Sequence, residues 1–204
     1  MSNLNMIEKE AKFYIRNLKK VEATIEKMGG KVAQPRTFES NLRFDTPDRT
    51  LSASYQVLRL RSDTRARLTY KGPADLTSTV SARPEYEVEI SDLETGVKIL
   101  EALGYEIITI YEKYRTSYDL DGAEISLDEM PFGCFMEIEG EDEAQIERIA
   151  ESIGLKWDKR TSLSYLRLFD NVKQRLDLSL RDLTFTNFSG LEIQPVDLQL
   201  AYAD

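Results

Sequence analysis

The segment Met6-Ile7-Glu8-Lys9-Glu10-Ala11-Lys12-Phe13-Tyr14-Ile15 follows the period of two that defines a β-strand. One face of this strand carries Glu8, Glu10 and Lys12, and the other face is mostly apolar. Two carboxylates and an ammonium group on one face are costly to bury unless a ligand neutralises them. A hard cation would suit the acids, and an anion would suit the lysine. The segment therefore predicts a strand with one ligand-binding face.

The same alternation of charged and apolar side chains recurs along the chain. It appears in 56–61, 67–71, 84–90, 106–119, 123–130 and 134–139. Helical patterns cover 18–28, 91–104 and 142–153. A sandwich with solvated polar faces would explain any one strand, but the charges are grouped by sign from strand to strand. This grouping favours an α+β fold, an eight-stranded antiparallel β-barrel with a polar interior and helices packed outside.

Composition limits the function classes. The chain has 204 residues, a net charge of −9, no histidine and a single cysteine, Cys134. The negative charge argues against nucleic-acid binding, and the absence of histidine excludes His-based triads and His-ligated zinc. No apolar run is long enough for a membrane span, and no signal-peptide pattern is present. We expect a cytoplasmic protein that does not bind membranes.

The predicted interior holds two sets of charged residues. The basic set is Lys12, Arg59, Arg61, Lys71, Lys113 and Arg115, with Arg43 and Arg67 as weaker additions. The acidic set is Glu8, Glu10, Glu85, Glu87, Asp128, Glu137 and Glu139. Six cations suit a polyanion such as a triphosphate chain, because arginine and lysine both bind phosphate oxygens. The acids need a divalent metal between themselves and the phosphates, and all-oxygen ligands indicate Mg²⁺ or Mn²⁺.

Several motifs resemble one family in order. They are Glu8-x-Glu10-x-Lys12, Phe44-Asp45-Thr46-Pro47, Leu58-Arg59-Leu60-Arg61, Leu68-Thr69-Tyr70-Lys71-Gly72-Pro73, Glu85-Tyr86-Glu87, Lys113-x-Arg115, and Ser126-Leu127-Asp128 followed by 133–139. Together they resemble the CYTH superfamily, the triphosphate tunnel metalloenzymes, over about residues 5–168. The superfamily includes class IV adenylyl cyclases, thiamine triphosphatases and inorganic triphosphatases. Arg43 departs from the pattern, because members usually carry Tyr before Phe-Asp, and this concerns contacts at the tunnel entrance.

The resemblance implies roles for both sets. Glu8, Glu10, Glu137 and Glu139 would lead the metal ligands, with Asp128, Glu85 and Glu87 in support. The six basic residues would bind the phosphates, and Glu8, Glu10 and Lys12 would be the catalytic residues. Water attacks the terminal phosphorus in a hydrolase of this family, whereas the ribose 3′-hydroxyl attacks the α-phosphorus in a cyclase. Members are often homodimers.

The C-terminal region has a different pattern. From Leu176 onward, an acid or amide followed by an apolar residue recurs every five positions through Asp197-Leu198. This spacing resembles pentapeptide repeats, which form a right-handed β-helix, although irregular strands packed on the barrel are an alternative. We therefore expect a tunnel domain at 1–170 and a short β-rich tail at 171–204.

Two functions are compatible with these features. The first is a metal-dependent enzyme acting on a triphosphate such as ATP, thiamine triphosphate or tripolyphosphate, either a triphosphatase or a class IV adenylyl cyclase. The second is a non-catalytic module that binds polyphosphate or nucleotide. The retained glutamates favour the enzyme, because an anion-binding module would bind better without them.

Overall fold

A computed structural model of the protein describes residues 7–73 and 81–204. The strands of this part are β1 (Ile7–Ile15), β2 (Lys31–Asp45), β3 (Val57–Ser62), β4 (Ala66–Lys71), β5 (Ser81–Ile90), β6 (Glu106–Leu120), β7 (Ala123–Met130), β8 (Gly133–Glu139) and β9 (Arg160–Thr161). Its α-helices are α1 (Leu18–Lys27), α2 (Thr50–Ala53), α3 (Leu93–Ala102), α4 (Glu143–Ile153), α5 (Tyr165–Leu176) and α6 (Pro195–Leu198). From the sequence we also expect a polar loop at 74–83, between the strand patterns at 67–71 and 84–90, and most of it lies outside the described residues.

The eight long strands form one antiparallel sheet. Their order is β5-β4-β3-β2-β6-β7-β8-β1, and the two-residue strand β9 extends it beyond β1. Residues 7–10 of β1 also pair with residues 81–84 of β5, which joins the two ends of the order. Each long strand therefore has a neighbour on both sides. The predicted eight-stranded antiparallel β-barrel with helices outside is confirmed.

The outward faces of the strands form the core with the helices. Residues that are paired across neighbouring strands share a face of the sheet. The apolar side chains of one strand therefore lie beside the apolar side chains of the next. Around β1, β7 and β8 this core contains Phe13, Ile125, Leu127, Met136 and Ile138, covered by Val21 and Ile25 of α1 and by Ile146, Ile149 and Ile153 of α4. Helix α3 covers a second outward cluster on β2 and β3, around Phe44, Leu58 and Leu60. The charged faces are left pointing inward.

The outer helices begin where polar side chains cap them. Asn17, Asp92 and Asp142 each accept a hydrogen bond from the backbone N–H three residues later. Helix α4 ends at Gly154, whose φ of 92° suits a residue without a side chain. In the described part of the chain, no helix is both long and apolar enough to cross a bilayer.

The Phe-Asp-Thr-Pro motif, residues 44–47, stabilises the connection between β2 and α2. The carboxylate of Asp45 is fully buried and accepts hydrogen bonds from the backbone N–H groups of Thr46, Leu51 and Ser52 and from the Ser52 hydroxyl. These bonds hold the short helix α2 against the end of the strand, and they lower the pKa of Asp45 although burial opposes the shift. The motif thus organises a connection and does not add a group to the barrel interior.

The inner face of the barrel is apolar at one end. Tyr14, Tyr111, Met130 and Phe135 lie on the charged faces of their strands by alternation, yet each is buried in a cluster with the C-terminal segment. That segment contributes Tyr165, Leu168, Phe169, Val172, Leu183, Phe188 and Leu198. Helix α5 and the chain after it therefore fill one end of the barrel.

The predicted β-rich tail is wrong. Residues 177–204 contain irregular turns, helix α6 and a single β-bridge between Leu183 and Tyr111. The apolar residues at five-residue spacing enter the cluster at the barrel end and do not stack as coils, because one turn of β-helix could not bury its own faces. The predicted boundary at residue 170 falls within α5.

Backbone contacts attach this segment to two strands. Leu183 donates to the carbonyl of Ile110 and accepts from the N–H of Glu112, which covers an edge of β6 that β7 leaves unpaired. Farther along, the N–H of Ala203 donates to the carbonyl of Tyr14. The segment is therefore an integral part of the barrel.

Truncation of Phe169 should test whether this segment supports the whole fold. Phe169 is 2% exposed and packs against Phe188 with ring centroids 5.8 Å apart. We expect Phe169→Ala to lower the free energy of unfolding by about 3–5 kcal/mol in urea denaturation, monitored by tryptophan fluorescence. The control Leu103→Ala, at a side chain that is 69% exposed, should change it by less than about 0.5 kcal/mol. Equal midpoints for both variants would contradict an integral role.

Candidate functional site: a charged barrel interior

Asp128 on β7 binds polar groups of two other elements, β6 and α5. Its carboxylate is fully buried. It accepts two hydrogen bonds from Arg115 at 2.6 and 2.5 Å, one from the Lys113 Nζ at 3.0 Å and one from the Tyr165 hydroxyl at 2.7 Å. Both carboxylate oxygens are thus engaged by protein donors. Asp128 holds two of the predicted phosphate-binding cations in place.

Glu137 on β8 forms ion pairs with a lysine on β1 and an arginine on β6. The Lys12 Nζ lies 3.1 Å from its Oε1, and Arg115 also contacts this carboxylate. Burial disfavours the charged form of both Glu137 and Lys12, but the attraction between the opposite charges outweighs this effect. As a result, the pKa of Glu137 lies well below its usual value, and the pKa of Lys12 lies above its usual value. The pair is therefore ionised. Lys12 donates a further hydrogen bond to the carbonyl of Leu163 at 3.2 Å.

A second group of charges lies on β3, β4 and β5. Arg61 donates to both oxygens of Glu87 at 3.1 Å, and the Thr69 hydroxyl donates to Glu87 at 2.8 Å. Arg59 lies 3.9 Å from the same carboxylate and donates to the Tyr111 hydroxyl at 3.0 Å. Glu87 thus gathers the two arginines of the Leu-Arg-Leu-Arg motif.

The remaining predicted cation of this sheet is Lys71. Its Nζ lies 2.9 Å from Glu85, which occupies the register position opposite it on β5. Arg67, a weaker candidate, contacts Asp63 and lies 3.7 Å from Glu87. The structure therefore places all six predicted phosphate-binding cations close to interior carboxylates.

Three predicted acids lie near a more open end of the barrel. Glu10 is directly opposite Glu139, and Glu139 is directly opposite Glu124 on the next strand. Like charges in opposite positions repel unless a cation lies between them. Glu8 belongs to the same face of β1, but its side chain is outside the described residues.

Within residues 7–73 and 81–204, no group of three or more His, Cys, Asp or Glu side chains is arranged to hold a metal ion. The donor set nevertheless fits a hard divalent cation, because Glu10 and Glu139 supply oxygen ligands from opposite register positions. The metal-ligand assignment stays a prediction.

The motif search missed a row of polar residues on β2, which we call the β2 row: Glu39, Asn41 and Arg43. All three are on the face that pairs with the charged faces of β3 and β6. Glu39 is 1% exposed and lies 3.6 Å from Arg61 and 3.7 Å from Lys113. Of these three residues, the sequence suggested only Arg43, and that weakly. The alternation of the row with the apolar Phe38, Leu42 and Phe44 was the signal that could have identified the other two.

The β2 row has perturbed electrostatics. Burial disfavours the charge of Glu39, but Lys113, Arg115 and Arg61 outweigh it and lower the pKa to about 2. Burial also lowers the pKa of Arg43, to about 10. The acid stays ionised at neutral pH because its cationic neighbours favour the charged form.

Tyr165 brings the C-terminal segment into this network. Its ring lies 4.5 Å from the Lys12 Nζ and 5.5 Å from the Lys113 Nζ, measured to the ring centroid. Together with its hydrogen bond to Asp128, it contacts three of the predicted site residues. The sequence patterns did not indicate this role, because Tyr165 follows the matched motifs.

Comparisons with known proteins identify the family and support the fold. The CYTH domain model matches residues 6–164. A candidate adenylate cyclase from Vibrio parahaemolyticus is 25% identical with a TM-score of 0.72, and the match covers 80% of this chain and 98% of that one. The PH1819 protein of Pyrococcus horikoshii is 28% identical with a TM-score of 0.66, over 79% of this chain and 97% of its own.

A more distant structure supports the fold alone. It is a Hippeastrum protein described as a candidate adenylyl cyclase with a dominant triphosphatase activity, 19% identical with a TM-score of 0.59, over 80% of this chain and 95% of its own. No curated protein matches the chain. This chain belongs to the CYTH domain family, and the family match ends one residue before α5 begins.

Removal of the Asp128 charge should destabilise the protein strongly. Asp128→Asn leaves the buried Lys113 and Arg115 without a full countercharge, so we expect a loss of about 3–5 kcal/mol in urea denaturation. The control Glu106→Gln removes a partner of Arg49 in an ion pair whose side chains are both 49% exposed, and it should cost less than about 1 kcal/mol. A cost for Asp128→Asn no larger than the control would contradict its central position.

Acid should destabilise the fold through Glu39. A carboxyl group whose pKa is lowered by folding binds fewer protons in the folded state, so it stabilises the protein above its unfolded pKa of about 4.3. That contribution should be lost as pH falls toward about 2, the folded pKa. Urea denaturation between pH 6 and pH 2 should show a smaller pH dependence for Glu39→Gln than for the unmodified protein. Identical slopes would contradict the assignment.

Proposed function

We propose that this CYTH domain is an enzyme that acts on a triphosphate substrate and depends on a divalent metal, Mg²⁺ or Mn²⁺. The observation that carries the proposal is the convergence of Lys12, Arg59, Arg61, Lys71, Lys113 and Arg115 on the barrel interior. Every one of them lies within 4 Å of an interior carboxylate. This arrangement suits a ligand that carries both negative charge and a cation.

Exchange of partners explains why the interior contains so many ion pairs. A phosphate chain can accept hydrogen bonds from Arg61, Lys113 and Lys12, since each of these donors is now held by a carboxylate. The carboxylates released in this exchange would face the positive charge that accompanies the substrate. A divalent metal that binds together with a triphosphate would therefore offset part of the negative charge that the substrate adds, whereas a triphosphate bound alone would add all of it.

Glu10 and Glu139, together with Glu8, would hold the metal. A bound divalent ion acts as a Lewis acid on phosphoryl oxygens and neutralises developing charge. The arginines and lysines orient the phosphate chain and stabilise its charge in the transition state, which is the main source of catalysis in phosphoryl transfer.

Both reactions described for relatives start from the same bound triphosphate. Hydrolysis and cyclisation differ in which phosphorus is attacked and by which oxygen, and the interior cations serve either. The Vibrio protein is described as a candidate cyclase and the Hippeastrum protein by its triphosphatase activity. We propose the shared step, capture of a metal-triphosphate by the barrel interior, as the basis of function.

Turnover assays test this proposal directly. Tripolyphosphate, thiamine triphosphate and ATP should be assayed for phosphate and pyrophosphate release with Mg²⁺ or Mn²⁺, while cyclic AMP is measured in parallel. We expect metal-dependent turnover of at least one triphosphate. Binding without turnover of any of the three would instead support the non-catalytic module.

Substitution of the β1 acids should separate catalysis from folding. We expect the double variant Glu8→Gln, Glu10→Gln to lose metal-dependent turnover by on the order of 100-fold, with an unchanged circular dichroism spectrum. A matched control is Glu94→Gln, Glu101→Gln, which removes two exposed carboxylates from the outer helix α3 and should leave turnover unchanged. Full activity of the β1 variant would show that these acids do not bind the metal.

A further inference from the structure

Asn41, in the middle of the β2 row, is a buried amide that lacks hydrogen-bond partners. Its side chain is fully buried. Neither its Oδ1 nor its Nδ2 forms a hydrogen bond with any residue that the structure describes. Buried amide groups are nearly always paired, because removal from water without a partner is costly. An unpaired amide therefore indicates a group that binds something other than its own fold.

The position of Asn41 indicates what that partner is. It lies directly opposite Arg61 on β3 and directly opposite Tyr111 on β6. Arg59 and Lys113 lie one diagonal step away on the same two strands. Asn41 is thus at the centre of cations that approach from both flanking strands. An anion bound by cations of both flanking strands would lie over β2, close to Asn41.

The cations on the strands beside Asn41 now bind other protein groups. Arg61 is now turned to Glu87, Arg59 to Tyr111, and Lys113 to Asp128. These side chains are long, and the proposed function requires them to exchange these partners for phosphate oxygens. The same exchange would bring phosphate oxygens to the cations that flank Asn41 on β3 and β6.

The amide also differs from its neighbour on the strand. Glu39 is a carboxylate that cancels part of the charge of Lys113 and Arg61. Asn41 is neutral, so it leaves the surrounding positive charge available, and its NH₂ group can donate two hydrogen bonds. A neutral donor surrounded by cations is suited to a phosphate oxygen and unsuited to a metal ion.

We propose that Asn41 is a substrate-contact residue that donates a hydrogen bond from Nδ2 to an oxygen of the triphosphate chain. This inference rests on the proposed function. It adds a neutral donor on β2 to the charged contacts, and it makes β2 the floor of the phosphate site.

The test uses Asn41→Leu, which removes the polar atoms and keeps a similar volume. Without ligand, the midpoint of thermal unfolding should be unchanged or higher, because the variant no longer buries an unpaired amide. Tripolyphosphate binding, measured by isothermal titration calorimetry with Mg²⁺, should weaken about tenfold, which corresponds to about 1.4 kcal/mol. If Asn41 had a purely structural role, the variant would have a lower unfolding midpoint and an unchanged affinity for tripolyphosphate.

Two further variants control the measurement. Asn41→Asp keeps the shape and adds a negative charge, so it should bind tripolyphosphate more weakly than Asn41→Leu while remaining folded. Ser126→Ala removes a buried polar group of the inner face that already has a protein partner, the Ser117 hydroxyl at 3.2 Å. It should lower the unfolding midpoint and leave tripolyphosphate affinity unchanged.

The outcomes separate the two proposals. If the unmodified protein binds tripolyphosphate and Asn41→Leu binds it within twofold, the inference about Asn41 is overturned and the proposed function stands. A lower unfolding midpoint for Asn41→Leu also overturns the inference, since the amide would then have a structural partner. If the unmodified protein binds no tripolyphosphate, thiamine triphosphate or ATP, the proposed function fails and the inference fails with it.

Discussion

The rest of the interior depends on the hydrogen bonds and ion pairs that the buried Asp128 carboxylate forms. Two cations on β6 point into the same barrel, and they would repel each other without a shared countercharge. Asp128 binds both Arg115 and Lys113, and Tyr165 donates to it from the C-terminal segment. One side chain thus joins the charged interior to the segment that fills the barrel end. Charge neutralisation and tertiary packing are therefore coupled in this protein.

The barrel is different at its two ends for a physical reason. At one end, acids stand in opposite register positions, with Glu10 facing Glu139. At the other end the inner face turns apolar at Tyr14 and Phe135, where α5 covers it. In the part of the chain that the structure describes, apolar packing therefore covers one end of the barrel, and the charged middle lies between this end and the acidic end.

Local patterns predicted the strands because side-chain alternation is a property of the backbone. The strand carrying Glu8, Glu10 and Lys12 was predicted at 6–15 and is observed as β1, Ile7–Ile15. The tail was misread because apolar residues at five-residue spacing satisfy several structures equally well, and the choice depended on the cluster they join. Within the β2 row, Glu39 and Asn41 were missed because they stand outside the ordered motifs, and Asn41 is also uncharged. Its meaning comes from neighbours on β3 and β6, which are distant in sequence.

The sequence by itself determined the α+β barrel, the family and most of the charged residues of the inner face, although not Glu39. These follow from alternation, residue chemistry and ordered motifs, all of which are local. Only the tertiary structure decided which acid pairs with which cation, that Tyr165 lies against Lys12 and Lys113, and that Asn41 is buried without a partner. Those facts depend on strand register and on the return of the C-terminal segment to the barrel, because contacts between distant segments form only when the whole chain is packed.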